Sequence, residues 1–394
     1  MPAGPPLLTR RFVLVTLAAL AYFVGLGILV PVVPLVVERE LDGGGVAVGV
    51  AVGAFSLTAA ILRPWAGLLG DRSGRRLLVV GGSVVLAVVV AGYTLAGGLA
   101  ALVLLRVLTG VGEAAVFVGA ATAVQDLAPA SRRGEAASYF SVAVYGGLAL
   151  GPALGEAVLD GAGANAAWLV SSGCCLAAAV LGWWTPPFPP GESGRRVPGR
   201  RPALLHASGL GPGFVLGLSL IGFAGFTTFV PLYVDEVGVS SSGAVFSTFA
   251  VIVLSVRVVG ARIPDRAGPV RVASTALSLL TLGLGALAVL RSEAGLFGGT
   301  ALFALGTSLL YPSLMRLVVD ATPTAERSSA VATFSIFFDL SQGLGAPALG
   351  VVVALADEPA AFAVGALLQL AALALLRLKV AARAEEAAAT LAAA

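Results

Sequence analysis

Three ionisable residues lie where a chain this apolar has few others. Arg106 and Glu113 fall within one apolar block, and Asp339 lies near the centre of another, in Phe337-Phe338-Asp339-Leu340-Ser341-Gln342. A charge inside a hydrocarbon layer is costly unless it is paired or wetted, so such residues point by default to an ion or substrate pathway. Arg106 and Glu113 are seven positions apart, which puts them on nearly the same face of a helix. That spacing suits a proton-binding carboxylate tuned by a guanidinium, and equally a structural ion pair. Asp339 is a candidate for binding and releasing protons near neutrality, and equally for a structural hydrogen bond. Enzyme chemistry finds no support. Cys174 and Cys175 are neighbours with no ligand spacing, the single His206 is expected to be a solvated histidine, and no metal set or nucleophile–base pattern is present.

The elements that must position these groups follow from composition. Of 394 residues, 58% are hydrophobic and only 11% charged, with a mean hydropathy of +0.98. A soluble domain of this length needs far more polar surface. The apolar residues come in blocks of about twenty, the length a helix needs to cross a hydrocarbon core of about 30 Å. Backbone groups in lipid must bond within their own segment, so the blocks are helices. Strands of about ten alternating residues, as in a barrel, are not seen. The blocks run near 12–34, 46–69, 77–97, 99–125, 137–158, 166–185, 211–234, 243–264, 270–290, 294–319, 329–354 and 359–380, an all-α membrane protein of twelve spans. The first follows Arg10 and Arg11 as a signal peptide would, but it is too long for an apolar signal core and is read as the first span.

With the N-terminus inside, every basic residue falls on the inner side except Arg39 and Arg291, outside, and Arg63, Arg106 and Arg257, in or at the edge of the membrane. This bias places both termini in the cytoplasm. The net charge of +3 therefore reports topology and implies no nucleic-acid partner.

The chain is also written twice. Pro186-Pro187-Phe188-Pro189-Pro190-Gly191 and the arginines from Arg195 to Arg201 form a linker over 186–210. It separates a bundle over 1–185 from a second over 211–380, with a tail over 381–394. A shift of 194 residues carries Arg63, Asp71, Arg72 and Gly74 onto Arg257, Asp265, Arg266 and Gly268. The same shift carries Asp126, Pro129 and Arg133 onto Asp320, Pro323 and Arg327, and Gly151 onto Gly345. Such a repeat predicts two pseudo-symmetric six-helix bundles with a site where they meet. Arg106 and Glu113 align with Thr300 and Thr307, and Asp339 with Tyr145, so these charges belong to one half each and not to the shared scaffold.

Four segments carry a family resemblance. Gly67-Leu68-Leu69-Gly70-Asp71-Arg72-Ser73-Gly74-Arg75-Arg76 resembles the signature loop of the major facilitator superfamily, with a degenerate copy at Asp265-Arg266-Ala267-Gly268. Arg106-Val107-Leu108-Thr109-Gly110-Val111-Gly112-Glu113 resembles the superfamily's fourth-span motif. Gly147, Gly151, Pro152 and Gly155 are similar to the antiporter-type motif of the fifth span, with Glu156 where the motif ends in glycine. Gly25, Pro31 and Pro34 resemble a first-span motif of the twelve-span drug:proton antiporters. The resemblance covers essentially the whole chain. It implies a latch of Asp71 and the neighbouring arginines Arg72, Arg75 and Arg76 against an adjacent helix, and a weaker one at Asp265 and Arg266.

The expected protein is a secondary transporter without cofactor, a monomer in the inner membrane among its lipids. It exports a small amphipathic or hydrophobic compound in exchange for protons, with Glu113 or Asp339 as the exchanging acid. Phe117, Phe223, Phe226, Phe229, Phe303, Tyr311, Phe334, Phe337 and Phe338 are candidates for a greasy cavity, although most such rings serve as core. The rival readings are uptake of a sugar or other nutrient by symport or uniport and, more remotely, a sensor or membrane enzyme on a transporter fold. Nothing resembles a Gly-rich nucleotide loop followed by Lys-Ser or Lys-Thr, so ATP hydrolysis is not the expected drive.

Overall fold

The computed structural model describes residues 7–129, 132–185, 206–259, 268–322 and 326–380. Among them every regular element is helical. In chain order these are α1 (Arg10–Arg39), α2 (Gly45–Ser73), α3 (Arg75–Ala91), α4 (Leu99–Asp126), α5 (Arg133–Trp184), α6 (Ala207–Glu236), α7 (Ser242–Val259), α8 (Pro269–Val289), α9 (Glu293–Asp320), α10 (Arg327–Leu355) and α11 (Glu358–Leu375). Ten helices among the described residues are long and apolar enough to cross a membrane. The difference from twelve has two sources. The expected spans five and six form one element, α5, whose 52 residues hold two helices joined across a break at Gly163, where φ is 81°. The expected eighth span yields only the shorter apolar helix Ser242–Arg257, and 260–267 lie outside the described residues.

Polar side chains start the helices where backbone N–H groups would be orphaned. Thr9 caps α1 by accepting from Phe12 N, Ser292 caps α9 through Gly295 N, and Asp357 caps α11 through Ala360 N. His206 differs from the expected solvated histidine. It caps α6 by accepting from Ser208 N, and its Nε2 lies 3.1 Å from Glu326. The repeat is visible in backbone geometry: Gly74 and Gly268, 194 apart, precede α3 and α8 with φ of 88° and 82°. Only glycine adopts that conformation without strain.

The chain clusters into two compact units. The first comprises Met1–Gly43, Ala54–Arg196 and Ser242–Ala250; the second comprises Gly44–Gly53, Val197–Ser241 and Val251–Ala394. In the first, α1 packs along α5, and α3 lies against α4 and α5. Its core includes Ala18, Ala19, Tyr22, Leu86, Val116 and Ala178. In the second, α6 packs on α10 and α11, and α8 on α9 and α11. Arg291, one of two basic residues expected outside, binds Glu236 at 3.0 Å and Asp357 at 2.7 Å, so acids at the ends of α6 and α11 offset its charge.

Candidate functional site

The charged site lies in the first unit, between α2 and α4. Gly110 makes it possible, because a Cβ there would strike the Phe55 carbonyl and come within 2.6 Å of the Thr58 Cβ. Gly112, on the opposite face, admits Leu86 and the Gly82 carbonyl of α3. The alternating glycines of the fourth-span motif thus bring α4 close to two neighbours at once.

Across the Gly110 contact run two rungs. In one, the Arg106 guanidinium stacks 4.2 Å over the Phe55 ring. In the other, Arg63 Nη2 donates to Glu113 Oε1 at 3.0 Å while its guanidinium lies 4.4 Å over the Phe117 ring. Glu113 therefore pairs with Arg63 of α2 and not with Arg106 of its own helix, as the spacing suggested. Seven residues advance a helix by about 10 Å, which is why Arg106 occupies a separate rung. Both α4 residues are buried, Arg106 at 3% and Glu113 at 4% exposure, whereas the Arg63 side chain keeps 21%.

Two polar atoms close the cluster. Tyr22 of α1 is 1% exposed, its ring lies 4.7 Å from that of Phe23, and its hydroxyl has no hydrogen-bond partner among the described residues. Glu113 Oε2 is in the same condition. Beside them, Phe23, Phe117 and Phe140 form a triangle of edge-to-face rings with centroids 5.9–6.3 Å apart. The arrangement can hold an ionised or polar head against guanidinium and an apolar body against rings.

The signature loop is built as a clamp between α3 and its neighbours. Arg75, buried at the start of α3, reaches Asp126 at the end of α4 across 3.3 Å. Arg76 binds the Trp183 carbonyl and stacks 4.8 Å over its ring. Arg72 is exposed, Gly67 has open space around it, and the Asp71 side chain lies outside the described residues. Asp265 and Arg266 also lie outside them. The second copy does depart at one described point. Asp320, the counterpart of Asp126, pairs with Arg316 of its own helix at 3.2 Å, because the position matching Arg75 is Pro269.

The first-span and fifth-span motifs form one interface. A Cβ on Gly27 would lie 2.5 Å from the Gly147 carbonyl, one on Gly151 2.6 Å from Gly27, and one on Gly155 2.7 Å from the Ile28 carbonyl. Gly25 faces Ser171 and Cys174 further along α5, and Ser171 Oγ donates to the Gly25 carbonyl at 2.7 Å. Pro31 and Pro34 are buried in α1. Pro152 and the half-buried Tyr145 belong to α5. Asp339 lies in α10, with its side chain outside the described residues.

Glu156 does more than replace a motif glycine. Buried at 6%, its carboxylate accepts from Ser242 N and Gly243 N at 3.1 Å and from the Ser242 hydroxyl, capping α7 within the first unit. Its repeat counterpart, Gly350, instead packs against the Gly45 backbone.

Apolar helices of spanning length, a two-unit repeat and a charged cluster buried among them define a multi-pass membrane transporter of all-helical type. The profile of the Major Facilitator Superfamily matches residues 15–293 and 243–393. A relative from Salmonella typhimurium, described only as an MFS-type transporter, is 31% identical over 373 residues, covering 88% of this chain and 92% of its own. The chain therefore belongs to the major facilitator superfamily, and it is a transporter and not an enzyme. Solved structures agree on the fold. The human organic anion transporter MFSD10 aligns with a TM-score of 0.69 at 22% identity, over 95% of this chain and 100% of that one. A bacterial homologue of the human lysosomal transporter Spinster, inward-facing and occupied, gives 0.75 at 17% identity, with 98% of each chain covered.

Proposed function

We propose that this chain exports a small amphipathic compound across the bacterial inner membrane in exchange for protons, by alternating access. The observation that carries the reading is the Arg63–Glu113 pair with its aromatic surroundings, buried where the second half has Thr307. In this reading the chain has twelve spans, six in 1–185 and six in 211–380, joined by the linker 186–210, with both termini and the tail 381–394 in the cytoplasm. It works as a monomer without cofactor. Glu113 or Asp339 takes up the proton. Protonation changes the charge of a buried group and so biases one conformation over another, which a ligand achieves only by differential affinity. Arg75 with Asp126, and Arg76 with Trp183, act with Asp71 as the inner latch, and Asp265 and Arg266 as its weaker echo. The interdigitated glycines of α1 and α5 support the antiporter reading, since they carry both motifs that resemble that branch.

Everted vesicles acidified inside test it. Substrate accumulation that depends on the gradient and disappears in Glu113→Gln or Asp339→Asn supports exchange; accumulation indifferent to the gradient and to both substitutions rejects it. A second reading, uptake by symport, is favoured by one feature. Arg63 already holds the Glu113 carboxylate, so a cargo anion that takes Arg63 leaves Glu113 to be neutralised by a proton, and the two load together.

A further inference from the structure

We infer that Glu156 is a further proton-binding residue of this transporter, and that a proton taken up from water by its carboxylate releases the start of α7 from α5. The inference goes beyond the proposed exchange. It holds for export or uptake, and whichever of Glu113 and Asp339 carries the transported proton.

The repeat supplies the comparison. In the second unit the start of α2 lies on α10 through small residues alone. A Cβ on Gly49 would strike the Ala346 carbonyl and come within 2.9 Å of Pro347 Cα, and one on Gly53 would lie 2.5 Å from the Gly343 carbonyl. In the first unit the start of α7 lies on α5 in the same way. A Cβ on Gly243 would lie 2.5 Å from Ala153 Cα, and Ser247 Oγ donates to the Ala149 carbonyl at 2.9 Å. Gly243, Ser247, Ala149 and Ala153 are the counterparts of Gly49, Gly53, Gly343 and Pro347 at the shift of 194. The two clasps differ where Gly350 packs on the Gly45 backbone and its counterpart Glu156 sets a carboxylate against Ser242 and Gly243.

A buried carboxylate is the costlier way to make such a contact, and unlike glycine packing it responds to protons. Oε1 accepts from Ser242 N at 3.1 Å and from the Ser242 hydroxyl, and Oε2 accepts from Gly243 N at 3.1 Å. The ionised group offers acceptors alone, which suits these donors and the positive end of an 18-residue helix. Burial penalises the charge, but direct donors replace the water it has lost. A proton added to either oxygen turns it into a donor facing a donor. The serine hydroxyl can rotate away; the backbone N–H groups cannot. Proton binding and opening of the clasp therefore favour each other. Other charges lie to one side. Asp160, one turn further along α5, and Arg39 and Glu40, at the end of α1, are exposed and line one cavity. Ser242–Ala250, the part of α7 grouped with the first unit, carries no ionisable side chain.

Hydrogen exchange of the purified full chain tests this, because the Ser242 and Gly243 amides are themselves the donors. Exchange over Ser242–Ala250, corrected for the intrinsic pH dependence of amide exchange, is followed from about pH 8 to about pH 4, where protein carboxyls titrate. Opening should rise about tenfold or more as the pH falls. Gly45–Gly53, whose clasp has no ionisable group, should keep its protection. Glu156→Gln, which keeps one acceptor but cannot titrate, should exchange faster at high pH and show no pH dependence. Wild-type protection that is flat with pH overturns the inference. So does a titration that survives in Glu156→Gln, which would belong to Asp160 or Glu40, and so does parallel loss in Gly45–Gly53, which would mark general acid unfolding. The wild-type chain and its internal reference decide even if the variant fails to fold. No cargo or gradient enters, so a failed vesicle experiment leaves the clasp standing, and a flat exchange profile leaves transport through Glu113 or Asp339 untouched.

Discussion

Arg63 and Glu113 illustrate why a buried ion pair is retained without being a gain in stability. Desolvating two charges offsets their attraction, but removing one partner of a buried pair leaves the other less well compensated, at a cost of about 3 kcal/mol in fully buried cases. Glu113→Leu alone should therefore lower the thermal midpoint of the detergent-solubilised protein clearly. Arg63→Met with Glu113→Leu should recover most of the loss while abolishing transport. A double variant no more stable than Glu113→Leu would mean that Arg63 does not depend on Glu113. The same reasoning applies to Arg75 and Asp126, with Arg75 almost fully buried. Arg75→Gln and Asp126→Asn should each slow transport, and a double-mutant cycle should return a coupling of about 1 kcal/mol or more. Additive effects would remove this pair from the latch. The residues also show what a sequence hides. Arg63 repeats as Arg257, so a search for charges peculiar to one half passes over it. The structure pairs this repeated arginine with the unrepeated Glu113 two helices away, a contact that comparing the halves does not single out. The available signal was a cation well inside an apolar block, the same signal that marked Arg106.

At the scale of helices, glycine type is less informative than what faces the glycine. Gly67 belongs to the most recognisable motif yet has open space around it, whereas Gly151 lies against the backbone of Gly27. Gly67→Ala should leave expression and melting nearly unchanged, and Gly151→Val should drive α1 from α5 and lower the melting midpoint sharply. The reverse order, read by scanning fluorimetry on both variants, would contradict the packing. Glu156 offers a second test at this scale. It bonds three donors at the start of α7, and losing a cap typically costs about 1 kcal/mol, more when the donors are buried. Glu156→Ala should destabilise the protein by about 1–3 kcal/mol, and Glu156→Gln, which keeps one acceptor, by less. The helices themselves were legible because their period and length follow from lipid thickness and backbone hydrogen bonding, which composition reports directly. The break at Gly163 falls in the expected gap between spans five and six, but the continuity around it was not legible, because Asp160-Gly161-Ala162-Gly163 reads as an ordinary outer loop while the backbone stays helical on both sides of it. The capping by Glu156 was equally hidden. Its partners lie 86 and 87 residues onward, and sequence spacing alone cannot place them together.

For the whole molecule, the sign of the cargo charge decides how the membrane potential acts. An anion leaving the cell and a proton entering it move charge in the same electrical sense. Each transfer is favoured by about 2.3 kcal/mol per 100 mV of inside-negative potential, so one-for-one exchange gains about twice that. Symport of the same anion with one proton moves no net charge and gains nothing from the potential. If the cargo is an anion, proteoliposomes loaded with it and clamped by potassium and valinomycin separate the two readings at a fixed pH gradient. Exchange predicts that export accelerates as the potential becomes more inside-negative, in protein oriented with its termini on the negative side. Export that responds to the pH gradient but not to voltage would replace exchange with co-transport. Glu113→Gln gives the second arm of the comparison. If Glu113 carries the proton, this variant should still move an anionic cargo down its own gradient and along the potential, with the response to pH lost and the response to voltage cut to that of one charge.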